Sequence, residues 1–177
     1  MGAGKGNTGK RRAGRGGRTK IKARRAARGE YELVHPPCVQ QRALDMEEVR
    51  AVLEAGEVDV AEDELRWLLD GCSMFLEAHQ LLGRLALARG DVELAHAHLR
   101  RAWDLGMAAL SRSFSGRLPY ARRANRPFLE AGRELVRCLL ARGDRDAALE
   151  VARRLWSLDP DAPLGVEQLL AEAGPPQ

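Results

Sequence analysis

Three arginines of this 177-residue chain share one register: Arg50, Arg84 and Arg137 each stand six residues ahead of a glycine, at Gly56, Gly90 and Gly143. A guanidinium is a permanently charged planar fork that meets a carboxylate or phosphate through two parallel hydrogen bonds, so three in a column would suit an acidic partner. Arg133, one helical turn before Arg137, is a fourth candidate. The competing reading is that these are ordinary solvated arginines.

A second concentration of positive charge lies at the N-terminus. Residues 1–29 hold eleven Lys or Arg and no acid, which leaves eighteen basic residues against 25 acidic ones in the remainder. The candidate phosphate ligands are Lys10, Arg11, Arg12, Arg15 and Arg18, followed by Lys20, Lys22, Arg24, Arg25 and Arg28. With no aromatic ring to stack on a base, such a stretch suits contacts that carry no sequence information, and nucleic-acid binding through it would be nonspecific and salt-sensitive. A solvated extension, or residues ahead of a translation start near Tyr31 or Met46, is the bland alternative.

Other chemistry finds little support. His96 and His98 are two apart, so on a helix they point in nearly opposite directions, whereas a helical zinc pair needs a spacing of three or four. GAGKGNTGK at residues 2–10 lacks the spacing of a phosphate loop and has no strand before it. No nucleophile motif or dinucleotide fingerprint is present, so neither enzyme, cofactor nor metal is expected. Cys38, Cys72 and Cys138 are odd in number and far apart, which argues against a disulfide framework and for a reducing, cytoplasmic home. No apolar run approaches the length of a membrane span.

These candidates must be positioned by the elements the pattern implies. Residues 1–29 carry eight glycines and only Met1 and Ile21 as sizeable aliphatics, so they are expected to be disordered; 20–28 could turn helical against a polyanion. The linker to residue 37 ends in Pro36-Pro37. Amphipathic helical patterns then occupy about 42–55, 58–70, 74–89, 92–105, 127–142 and 145–157. AGEVDVA, RGDVELA and RGDRDAA join them in pairs, each with a turn glycine, an acid near the next helix start and an alanine five residues after the glycine, at Ala61, Ala95 and Ala148. Gly56 and Gly90 are 34 residues apart, a helical-hairpin repeat period. The third interval is longer by a polar stretch, 107–126, read as an inserted loop. A capping helix is expected over 163–173. Leu53, Leu87 and Leu140, with Trp67, Trp103 and Trp156, read as packing residues.

Leu82-Gly83, Gly90, Ala95, Leu99 and Ala102 make the second pair resemble a tetratricopeptide repeat. The third keeps Leu135, Gly143, Ala148 and Asp159-Pro160 but carries Val136 and Leu155 where that family has small residues. The first keeps Gly56, Ala61 and Leu65, with Glu48-Val49 in place of Leu-Gly. The resemblance covers about 42–162. It implies an all-α architecture: an α-solenoid of three hairpins, 42–70, 74–105 and 127–157, with the capping helix, in a helical domain of 38–177 behind a basic tail and linker of 1–37. It further implies a concave groove binding a segment of a partner protein, through Arg50, Arg84, Arg133 and Arg137 if that segment is acidic. The alternative is a nucleic-acid-associated accessory protein whose tail supplies the affinity.

Overall fold

The computed structural model describes residues 20–161 and 164–172; Lys10, Arg11, Arg12, Arg15 and Arg18, and the expectation of disorder for the first nineteen residues, lie outside them. Most of the described residues are helical. A strand pair, β1 (Lys22–Ala27) and β2 (Glu30–Val34), precedes a short α1 (Pro37–Gln41). Then come α2 (Ala43–Glu54), α3 (Val58–Gly71), α4 (Leu76–Ala88) and α5 (Val92–Met107). A loop with a 3-10 turn at Arg123–Asn125 leads into α6 (Arg126–Ala141), α7 (Arg145–Leu158) and α8 (Val166–Glu172).

From α2 to α7 each helix packs on its neighbours in the chain, and α4 also meets α6. One local device closes each pair. Gly90 sits at φ +79°, its N–H bonding Leu87 O while Asp91 N–H reaches back to Ala86 O, and Gly56 and Gly143 repeat the arrangement at φ +83° and +82°. Only glycine takes this left-handed cap without cost, so the turns are written locally. Ala61, Ala95 and Ala148 are fully buried, letting backbones approach. At Gly83 the approach is closer still: a Cβ there would lie 2.5 Å from Leu99 Cγ.

Two apolar clusters fill the interior, and α4 contributes to both. Met46, Val49, Leu65, Leu68 and Phe75 belong to the N-terminal one. Leu99, Trp103, Phe128, Leu135 and Leu155 belong to the C-terminal one, which also takes in Ile21 and Leu33 from the strand pair.

Residues 20–29 therefore do not follow the expectation of coil or inducible helix. Ile21 (3% exposed) and Ala23 face inward and alternate with Lys22 and Arg24, while Tyr31 and Leu33 (2%) do the same on β2, which is the period of a strand. Gly29, at φ +75°, makes the turn. The inserted loop clamps the ribbon: Tyr31 N–H donates to Arg117 O and Arg117 N–H to Gly29 O, both at 2.8 Å. Buried Asn125 accepts from Leu33 N–H (2.9 Å) and donates to Tyr31 O and Pro119 O (3.1 Å each). Apart from Pro119, the ribbon residues held this way lie about ninety residues from Arg117 and Asn125 in sequence, beyond the reach of a local pattern.

Two further expectations change. Cys38 and Cys72 form a disulfide, their Cα atoms 5.8 Å apart, which ties α1 to the C-cap of α3; Cys138 is free and buried. Trp103 is buried, but Trp67 and Trp156 are about half exposed, Trp67 lying under the Arg42 guanidinium at 4.2 Å. No described helix is long and apolar enough to cross a membrane.

Candidate functional site

A polar groove of about 580 Å³ runs between α2, α4 and the start of α6, with His35 at the end of β2 closing one side. Four arginines line it: Arg50 from α2, Arg84 from α4, Arg123 from the 3-10 turn and Arg126 from α6. Glu54, Glu77 and Glu130 stand among them.

Arg50 is already engaged. Its Nη2 and Nε donate to Glu77 Oε1 at 2.6 and 3.0 Å, and Nη1 lies 2.7 Å from Glu47 Oε1. Burial works against its charge, but Glu77 first and Glu47 second outweigh that and leave its pKa raised. The pair ties α2 to α4. Arg126 donates to Tyr120 O at 3.1 Å and stacks over the Tyr120 ring, whose hydroxyl donates to Glu130 at 2.7 Å. Arg84 and Arg123 are exposed and have no ion-pair partner among the described residues. On the floor of the groove Gln80 is 2% exposed, and its side-chain amide makes no hydrogen bond among the described residues. His35 Nε2–H donates to Ala124 O at 3.0 Å.

The structure thus brings Arg50 and Arg84 together but leaves the other two groove candidates apart. Arg137 and Arg133 both turn to buried Glu134, at 3.1 and 3.3 Å, and neither lines the groove. Glu134 lies three residues before Arg137 and captures it locally. Arg123, Arg126 and Gln80 take their place. A signal for the first two was present in ARRANRP, a basic run inside the stretch read only as a loop; Gln80 had none.

The basic ribbon is the second candidate surface. Lys20, Lys22, Arg24, Arg25 and Arg28 are all exposed. Arg24 pairs with Glu32, which lowers that carboxyl's pKa, chiefly through their hydrogen bond. Lys20, Lys22 and Arg28 have no acidic partner among the described residues. Lys22 lies opposite Val34, next to His35, so the ribbon begins at the groove's edge.

His98 meets His79 rather than His96, their Nδ1 atoms 3.0 Å apart. Burial, then the charge of His98, pulls His79 down to about 4. Among the described residues no cluster of three or more His, Cys, Asp or Glu is placed to hold a metal ion.

No curated protein compared with the chain matches it. The model of the family described as transcriptional repressor TCF25 matches residues 60–170, more than half of the chain, from α3 into α8. This finding overturns the tetratricopeptide assignment, and the scaffold reading built on it goes with it; the cytoplasmic home, which rested on the cysteine pattern, gains no support from it. The physical reason lies in what the resemblance rested on: turn glycines, small buried residues and a hairpin-length period are demanded by any stack of antiparallel helix pairs, so they specify packing and not ancestry. Matched over most of its helical part, the chain belongs to the transcriptional repressor TCF25 family.

Proposed function

We propose that this chain is a nucleic-acid-associated regulatory protein of transcription, acting in the nucleus by binding and not by catalysis. The helix pairs α2–α3, α4–α5 and α6–α7 serve in this reading as a short solenoid that carries the basic ribbon and presents it to phosphates. The observation that supports it best is the ribbon: Lys22, Arg24 and Arg25 on β1, Lys20 just before it and Arg28 in its turn are all exposed on a strand pair docked to the helical body, and six further Lys or Arg precede them in the chain. Fixing cations on a docked strand pair lowers the ordering cost of each phosphate contact. The matched family's description points to the same broad role.

The test is fluorescence anisotropy of a labelled duplex and a labelled single strand of unrelated sequence, at two salt concentrations. Wild-type protein should bind both with little sequence preference, losing affinity steeply with salt. Replacing Lys22, Arg24, Arg25 and Arg28 with Gln should lower the slope of log K against log salt by up to about 3 to 4, roughly 0.7–0.9 for each lost phosphate contact. No binding at low salt, or binding unchanged in the variant, refutes the proposal.

A further inference from the structure

We propose that the groove between α2, α4 and the start of α6 is a docking site for an extended peptide segment of a partner protein that carries Asp or Glu side chains. The inference stands apart from the nucleic-acid reading, since it uses different residues.

Three observations converge on it. First, Arg84 and Arg123 come from different elements, line the same groove and lack an ion-pair partner among the described residues. Arg126 adds a third guanidinium beside them. Such forks match carboxylates in pairs of parallel bonds. Secondly, Gln80 is buried at the groove with its amide unmet. Its amide atoms are not sealed from solvent, so the residual exposure faces the groove, where they offer one acceptor and two donors, the complement of a peptide bond. Thirdly, the volume of about 580 Å³ lies within the range in which proteins seat ligands.

The lining also selects between anions. A nucleic-acid strand presents acceptors and a negative charge at every step, and would meet the carboxylates of Glu54, Glu77 and Glu130. A peptide backbone alternates N–H and C=O, so those carboxylates can accept its N–H groups while the arginines take its acidic side chains. The chain's own N-terminal stretch is cationic and lacks the charge the arginines call for.

The probe is a pool of fluorescein-labelled ten-residue peptides with three Asp or Glu each, measured by anisotropy on the full chain. A pool with Lys at the same positions and an oligonucleotide of equal charge are the comparisons. The acidic pool should contain binders. Arg84→Glu and Arg123→Glu should each weaken them about tenfold or more, and Gln80→Leu, close in volume, several-fold. Arg101→Glu, on α5 and outside the groove, should leave binding intact, and circular dichroism should show every variant folded. Neutralising Lys22, Arg24, Arg25 and Arg28 should spare peptide binding while affecting nucleic acid, which separates the two proposals. The inference is overturned if no acidic peptide binds better than its Lys counterpart. Binding untouched by both groove charge reversals, or an oligonucleotide whose binding depends on Arg84 and Arg123 as strongly as the peptide's, overturns it equally.

Discussion

Asn125→Ala should release the basic ribbon from the helical body while leaving the helices formed. Asn125 is fully buried and answers three backbone groups: Leu33 N–H, Tyr31 C=O and Pro119 C=O. Alanine answers none. A buried group left unmet costs about 1–3 kcal/mol, and water entering the opened site returns part of that, so the total loss is roughly 3–5 kcal/mol. For a chain of this size each kcal/mol moves the midpoint by about 2–4 °C, so thermal unfolding followed by circular dichroism should fall by about 6–20 °C. Hydrogen exchange gives the local readout. The Leu33 amide should lose protection far more than amides in the middle of α5 or α6. A stability loss below about 1 kcal/mol with Leu33 still protected would mean that the ribbon is held by Ile21 and Leu33 packing alone, and would refute the reasoning.

Gly83→Ala should destabilise by about 1–3 kcal/mol in urea unfolding, because the new Cβ would meet Leu99 Cγ at 2.5 Å and Leu99 N at 3.2 Å, and neither is a flexible tip. Stability should also fall as pH drops from about 6.5 toward 4. His79 is held neutral in the folded state with its pKa lowered to about 4, mainly by burial, so the unfolded chain binds more protons across that window. His98, also lowered by burial, adds to the same trend. His79→Gln should flatten this acid limb in pH-dependent urea titrations; a limb of unchanged steepness would count against a buried neutral His79.

The helical class was readable because its determinants are local. Amphipathic spacing sets which face is buried, and a glycine at position 56, 90 or 143 closes its turn, its own N–H bonding the carbonyl three residues back and the next residue's N–H the carbonyl five back from it. The alternation of Ile21 and Ala23 with Lys22 and Arg24 was also present, but it spans too few residues to outvote the surrounding charge. Its hydrogen-bond partners, Asn125 and Arg117, lie in a loop whose path no local pattern discloses. The arginine register was half informative: Arg50 and Arg84 do share a groove, whereas Arg137 is taken by Glu134 one turn away.

By itself, then, the sequence determined what short-range forces govern: the helical character, the turn glycines, and the split between a cationic N-terminal stretch and an acidic remainder. Tertiary structure alone decided which distant residues meet. It seated the ribbon on the inserted loop, joined Cys38 to Cys72, set Arg123 and Arg126 beside Arg84, and buried Gln80 without a partner. Those outcomes depend on how two apolar clusters pack around α4, and packing is a property of the whole chain, with no trace in the spacing of any one segment.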